Sequence, residues 1–191
     1  MLISTRYIFA MLLSDSLFLR SLIERLGRLA ASEGWAHGLN PSQTAALDYL
    51  ARANRFSRAP SQVADYLGAT RGTVSQTLLS LERKGLIGAR PSSSDRRSLC
   101  YDVLPKSQMG TKESPLDQVL AALAPAEASA LALGLHQVLS AVLKQRGGRA
   151  FGLCRDCRHH EVRGPAAFCQ LLKQDLRPAE AEQICYEQAA V

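Results

Sequence analysis

The sequence has no glycine loop of the kind that cradles a phosphate, no nucleophile motif and no convincing pair of carboxylates, its acidic residues being scattered over helical surfaces. Each absence removes a class of catalyst, and the chain is not expected to be an enzyme. Long apolar runs are missing from its start: Met1 to Leu13 is rather apolar, yet Arg6 interrupts it and it falls short of the ~20 residues that span a bilayer. No small-residue cleavage site follows, which argues against a signal peptide. The expectation is a cytoplasmic protein with no membrane partner. Cysteine is scarce through most of the chain, Cys100 being the only one before Cys154. Acidic charge is also short, with 17 Asp and Glu against 23 Lys and Arg, for a net charge of +6 and a pI near 9.3.

With 47% hydrophobic and 21% charged residues, the 191-residue chain is neither disordered by composition nor a repeat array. It is long enough for one ordinary domain and an appendage. The positive excess is concentrated: Ala51 to Lys106 holds ten Lys or Arg and four Asp or Glu. That bias is the electrostatic footprint expected of a nucleic-acid partner.

Within this basic stretch, Gly68 to Arg97 reads as a helix, a glycine stop and a basic hairpin. From Thr70 to Lys84, Val74, Leu78 and Leu81 recur at helical spacing and leave Arg71, Thr73, Ser75, Gln76 and Ser80 on the other surface. Thr70 is a suitable N-cap and Gly85 a suitable left-handed stop. Small hydroxyl and amide groups on an exposed helix can approach base edges, glutamine pairing with adenine and arginine with guanine.

Next, Leu86 to Arg90 can form one strand, and Leu99, Tyr101 and Val103 alternate with Ser98, Cys100 and Asp102 in a second. The turn from Pro91 to Arg97 carries Asp95, Arg96 and Arg97. Its guanidinium groups can follow phosphates or enter a narrow minor groove, with Asp95 orienting an arginine. Cys100 reads as a small, half-buried strand residue on the face opposite Tyr101.

Upstream, Ser14 to Ser32 carries Leu17, Leu19, Leu22, Ile23, Leu26 and Leu29 and predicts a long amphipathic helix. Asn40, Pro41 and Gln43 make a helix start; a helix to about Arg52 would pack Ala45, Leu47, Leu50 or their neighbours. Ser61 to Leu67 forms a short helix with Val63, Ala64 and Leu67 inward, closed by Gly68, which completes a helix-turn-helix. Trp35 and His37 read as a structural aromatic and a surface histidine. Downstream, Pro105 to Pro115 is a linker, and Leu116 to Leu123 and Ala126 to Arg146 are helices, the second apolar through Leu131, Leu135, Val138, Leu139 and Val142.

The expected fold is mainly α with a small β-hairpin wing. Its segments are an N-terminal extension (1–13), an N-terminal dimerisation helix (14–39), a winged helix-turn-helix (40–105), C-terminal dimerisation helices (106–148) and a cysteine-rich tail (149–191). So small a DNA-binding core cannot cover three apolar helices, so a second copy of the chain is the expected cover. The implied protein is a homodimer on double-stranded DNA, reading two related half-sites of a pseudo-palindromic operator. An interaction module using the same winged helix is the alternative, and the basic excess counts against it.

This arrangement resembles the MarR family of bacterial transcription regulators over roughly Ser14 to Arg146. The motifs that carry the resemblance are Leu67 to Ser75 (LGATRGTVS), Leu81 to Ile87 (LERKGLI) and Asp95 to Arg97 (DRR). It implies a dimeric repressor or activator whose Arg97 enters the minor groove with Asp95 as its acidic partner. It also implies that a small-molecule effector or an oxidant can be sensed between dimer helices and DNA-binding lobe. Pro105 and Lys106 depart from the family pattern at the junction after the wing.

Beyond Gly148 the sequence leaves that pattern. Cys154, Cys157, Cys169 and Cys185 are clustered in a protein expected to be cytosolic, which argues for a metal site over disulfides. Four thiolates suit zinc or, alternatively, an iron-sulfur cluster, with a metal-free redox switch or inert thiols as the remaining reading. Arg155, Arg158, His159 and His160 flank the Cys-x-x-Cys knuckle and are expected to lower its thiol pKa, and a histidine could substitute as a ligand. Cys185 is expected on a helix from about Pro178 to Gln188. A thiol-disulfide enzyme using Cys154 and Cys157 would need a thioredoxin-like alternation of strands and helices, which the pattern lacks.

Overall fold

The structure is a computed structural model that describes residues 16–33, 38–91, 98–105, 114–164 and 166–189. The expectations for the N-terminal extension, Trp35, His37, the wing tip (Asp95, Arg96, Arg97) and most of the linker lie outside the described residues. The chain divides into two units, Met1–Thr44 and Ala45–Val191.

The first unit contains α1, Ser16–Glu33, in which Arg20 and Glu24 pair one turn apart at 2.8 Å. Its Leu17, Leu19, Leu22, Ile23, Leu26 and Leu29 are all exposed. The helix α2, Pro41–Arg52, begins in this unit. Its start is the reciprocal cap that the sequence predicts: Asn40 Oδ1 accepts from Gln43 N at 2.9 Å, and Gln43 Oε1 accepts from Asn40 N at 3.1 Å.

The second unit continues through α3 (Pro60–Leu67), α4 (Arg71–Arg83), β1 (Ile87–Pro91) and β2 (Leu99–Val103). Each boundary lies within a residue or two of its sequence signal. Thr70 Oγ1 accepts from Thr73 N at 3.2 Å to open α4. Gly85 closes it at φ +69°, a conformation that a Cβ would strain. The two strands are antiparallel, with Ile87 opposite Val103 and Pro91 opposite Leu99.

The core of this lobe is Ala46, Tyr49, Leu50 and Ala53 from α2 and its end, Val63 and Ala64 from α3, Val74, Leu78 and Leu81 from α4, Ile87 from β1, and Cys100 and Tyr101 from β2. The inward stripe of α2 is therefore rotated by about one residue from Ala45 and Leu47, which are only half-buried. Tyr49 accounts for the rotation. Its ring can turn inward because its hydroxyl donates to Ser57 O at 2.6 Å, so burial leaves no orphan donor. Cys100 and Tyr101 are both buried, 4% and 6% exposed, so the alternation expected along β2 fails there. Strand β2 is enclosed further because Tyr101 N donates to Arg58 O at 3.0 Å.

Two helices follow, α5 (Pro115–Ala121) and α6 (Pro125–Gln145). Ser114 and Asp117 cap α5 reciprocally. No described residue of α6 is buried, and Leu131, Leu133, Leu135, Val138, Leu139 and Val142 all face outward. Its length and composition alone would suffice to cross a membrane.

The tail contains a short 3-10 turn at Cys154–Asp156, the strands β3 (His160–Arg163), β4 (Ala166–Cys169) and β5 (Gln174–Leu176), and a second 3-10 turn at Pro178–Glu182. The strands form an antiparallel meander in the order β3-β4-β5, which the sequence reading did not contain. The helix expected through Cys185 stops at Glu182, and Gln183 is already extended (φ −103°, ψ 153°). Tertiary pairing overrides local propensity there: Ile184 bridges Ala53 in parallel and Leu153 antiparallel.

Candidate nucleic-acid interface and cysteine cluster

On α4 the inward positions Val74, Leu78 and Leu81 leave Arg71, Thr73, Ser75 and Gln76 exposed, while Ser80 is half-buried. Two hydroxyls bond back to the helix, Ser75 Oγ to Arg71 O at 2.8 Å and Thr77 Oγ1 to Thr73 O at 3.0 Å. In this arrangement they present oxygen lone pairs outward and act as acceptors. The sequence reading missed Leu79, which is 43% exposed one turn beyond Gln76. Leucine reads as core in any periodicity argument, so only packing could reveal it.

At the base of the wing, Asp102 on β2 joins two cations. Arg58 Nη1 lies 2.7 Å from Asp102 Oδ1 and Arg90 Nε 2.5 Å from Asp102 Oδ2, while Arg90 Nη2 also donates to Arg55 O at 2.9 Å. Burial by itself would raise the carboxyl pKa, but hydrogen bonds and charge from the two arginines outweigh it and hold Asp102 below its ordinary value. This network ties the β-hairpin to the segment that joins α2 to α3. Two of the ten basic residues counted in the sequence thus serve the architecture of the wing.

The tail gathers its four cysteines. Cys154, Cys157, Cys169 and Cys185 are between 4% and 7% exposed, and Cys154, Cys169 and Cys185 share a small core with Leu176, Phe56, Ala167 and Leu172. All the cysteines are free thiols. Burial, then the neighbouring Cys185, Cys169 and Cys157, push the Cys154 thiol up to about 12. The expected lowering by flanking cations is therefore corrected. Arg155 is exposed and engaged with Glu182 and Asp156, so its charge is spent outside the cluster.

Two nitrogen atoms approach these sulfurs. Ala189 N donates to Cys157 Sγ at 3.5 Å, and His160 Nδ1 stands 3.7 Å from Cys154 Sγ. The Ala189 N–H favours thiolate at Cys157, and cysteine sulfur is the kind of donor that zinc or an iron-sulfur cluster takes. Among the described residues, no three His, Cys, Asp or Glu side chains already stand as a metal-holding group. The fold thus brings four buried thiols into one small module, but as placed they do not form a metal-holding group among the described residues.

Residues 37–98 match the MarR family model. Solved structures agree on the fold. The chain is similar to MepR of S. aureus in its DNA-binding conformation, with TM-score 0.55 and 22% identity over 66% of this chain and 97% of that one. It is also similar to the transcriptional regulator BldR of Sulfolobus solfataricus, with TM-score 0.52 and 21% identity over 67% and 96%. For Streptococcus pneumoniae FabT in complex with DNA the TM-score is 0.51 at 20% identity, over 67% and 94%. No curated protein matches the chain. These winged helices are covered almost from end to end, so about a third of this chain has no counterpart in them. The fold of this lobe is thus a MarR-like winged helix.

Against that MarR-like framework, the added tail is held on the lobe itself. Arg55 donates to Glu180 Oε2 at 2.5 Å and to Asp175 O at 2.6 Å, and Glu180 is 3% exposed. Tyr49, Tyr66, Phe151 and Tyr186 stack in succession, with ring centroids 4.4, 5.1 and 5.4 Å apart. Phe151 enters this stack beside Gly152, where a Cβ would lie 2.6 Å from Gln188. A cleft of about 140 Å³ between lobe and tail is lined by Arg55, Arg58, Arg177, Ala179, Glu180 and Gln183. It is charged and below the ~300 Å³ of small-molecule pockets, so it does not supply the effector site that the family resemblance implies.

Proposed function

We propose that this chain is a sequence-specific DNA-binding transcription regulator of the MarR type, working in the cytoplasm as a homodimer. The observation that carries the reading is α4: a well-capped helix within a MarR-matching segment that exposes Arg71, Thr73, Ser75 and Gln76 while its other face is fully packed. Arg71 can read guanine, Gln76 adenine, and exposed Leu79 a thymine methyl. The wing, with Arg96 and Arg97 beside Asp95, would add minor-groove and phosphate contacts. A second copy is the economical cover for the exposed apolar residues of α1 and of α6, and its symmetry would make the operator pseudo-palindromic.

The test is selection of duplexes from a random pool by the full chain, followed by titration of the selected duplex with Arg71→Ala and Gln76→Ala. Each substitution should cost about 1–3 kcal/mol on that duplex and relax discrimination at one base pair. Equal affinity of both variants and wild type would overturn the recognition-helix reading. Arg97→Ala should reduce the salt slope of binding. Light scattering should give twice the 20.8 kDa chain mass.

The finer part of the reading is that Cys154, Cys157, Cys169 and Cys185 hold zinc, each thiol giving its proton to solvent as its bond to the metal forms. The support is the burial of all four cysteines in the tail, three of them in one small core. Purified protein that is colourless and contains one zinc per chain bears this out. A brown protein containing iron and sulfide replaces zinc with a cluster on the same four ligands.

A further inference from the structure

The cleft between lobe and tail is lined by the guanidinium groups of Arg55, Arg58 and Arg177, by the Gln183 amide and by the Glu180 carboxylate. Its lining therefore carries a surplus of positive charge. Arg55 donates to Glu180 Oε2 at 2.5 Å and to Asp175 O at 2.6 Å, and Arg58 donates to Ala53 O at 2.9 Å and to Asp102 at 2.7 Å. Asp102 is balanced in turn by Arg90. Neither Arg55 nor Arg58 is exhausted, since a guanidinium has N–H donors beyond these two. The Arg177 side chain has no hydrogen bond or ion pair among the described residues, while its backbone N donates to Glu180 Oε2 at 2.7 Å. Both donors to Glu180 thus use the same oxygen. Oε1 takes neither, and because no enclosed side-chain oxygen of the described residues lacks a partner, it opens to the cleft that Glu180 lines. The cleft offers several donors, one acceptor and net positive charge.

We propose that this cleft binds inorganic phosphate as its monohydrogen ion. Cavities of ~150 Å³ hold benzene, so a cleft of about 140 Å³ suits phosphate, which has one non-hydrogen atom fewer. Guanidinium groups match the spacing of phosphate oxygens and bond them with charge assistance. The unprotonated oxygens accept from Arg55, Arg58 and Arg177, and the protonated one donates its hydrogen bond to Glu180 Oε1. Sulfate has no proton at neutral pH and sets an oxygen against the carboxylate, a contact of like charges without a hydrogen bond. A phosphate monoester, with a second pKa of ~6, has given up its last proton at about pH 8, and a DNA phosphodiester has none. The carboxylate therefore selects free phosphate over other sources of the same group. Once bound, the ion joins Arg55 and Arg58 of the α2–α3 connection to Arg177 and Gln183 of the tail and strengthens the seam between them. The site is independent of the DNA-binding and zinc readings above.

The experiment is calorimetric titration of the full chain with sodium phosphate, without DNA, at fixed ionic strength and about pH 8, above the monoester pKa. Wild type takes one phosphate per chain, while sulfate and phenyl phosphate bind at least about tenfold more weakly, the worth of one charge-assisted hydrogen bond. Arg177→Ala, at an exposed position, weakens phosphate binding by at least about tenfold and leaves the thermal midpoint in chloride unchanged. Glu180→Gln supplies an amide that donates as well as accepts, so the preference for phosphate over sulfate falls to within about twofold. If that variant fails to fold, Arg177→Ala and the sulfate comparison decide. Saturating phosphate slows amide exchange at Asn54 and Ile184, whose N–H groups bond across the seam to Ile184 O and Arg52 O, each at 2.9 Å. No more heat from phosphate than from chloride, sulfate binding as tightly as phosphate in wild type, or wild-type phosphate affinity in Arg177→Ala each overturns the site. Tighter binding of phenyl phosphate overturns inorganic phosphate as its ligand. A reduced salt slope of duplex binding in Arg177→Ala, with no phosphate binding in the DNA-free titration, overturns the proposal and gives the cleft to the DNA backbone.

Discussion

The winged-helix lobe and the tail bury their interiors with different chemistry. The lobe closes on hydrocarbon: Leu50, Leu78, Leu81, Ile87, Val63 and Val74 are at most 2% exposed, brought together by three helices and a hairpin. The tail closes on sulfur, with three cysteines and Leu176 as its compact core and a three-stranded meander around them. At about 40 residues, a segment this small seldom supports itself by apolar burial and usually needs a metal, disulfides or a partner. This tail has the thiols for the first and a partner in the lobe. The lesson is that a small added module can borrow stability from the domain on which it docks.

The strongest way to break the contrast is to remove the metal that the tail is proposed to hold. Chelation, or Cys169→Ser, should abolish slow hydrogen exchange from Cys154 to Cys185 and leave α4 protected, since a structural zinc contributes on the order of 10 kcal/mol to its own module. Equal loss in both regions would mean that they form one cooperative unit. Leu78→Ala strikes the other core: at 0% exposure it should destabilise the lobe by about 3–4 kcal/mol, seen as a lowered thermal midpoint.

Glu180→Ala tests the seam between them. It removes the carboxylate from a partly buried Arg55 and should cost about 3 kcal/mol, with faster exchange at Asn54 and Ser57 as the tail lifts from the lobe. Gln76→Ala should lower affinity for the selected duplex by about 1–3 kcal/mol and leave thermal stability within about 0.5 kcal/mol of wild type.

The smallest effect concerns acid. Because the folded Asp102 pKa is depressed, its share of stability is fully present above the unfolded carboxyl pKa of ~3.9 and is lost as pH falls through the folded value. Asp102→Asn should therefore lie below wild type near neutrality and converge with it in acid, as measured by denaturant midpoints across pH. Convergence at high pH instead would assign the shift to another group.

Much of the lobe was legible before its structure because its signals are local. Thr70 and Gly85 mark α4 by their own hydrogen-bonding and backbone preferences, and Asn40 with Gln43 does the same for α2. Cys100 was harder: strand alternation places it opposite Tyr101, yet Arg58 covers that edge and both residues are buried. The tail was legible only as a ligand set. Its meander has short strands with little apolar alternation, and the helix expected through Cys185 gives way because Ile184 pairs with Arg52 and Asn54. Asn54 itself bears no sequence signal, since a polar residue after a helix ordinarily reads as solvated loop.

The sequence by itself determined the helix-turn-helix, the two strands of the hairpin and the exposed polar face of α4, because caps, glycine stops and hydrophobic spacing act over a few residues. It also determined that four thiols would lie near the C-terminal end. Tertiary structure alone decided where that end goes. Docking on the α2–α3 connection depends on contacts such as Arg55 with Glu180 and Ser57 with Tyr186, separated by more than a hundred residues, whose loop closure no local preference encodes.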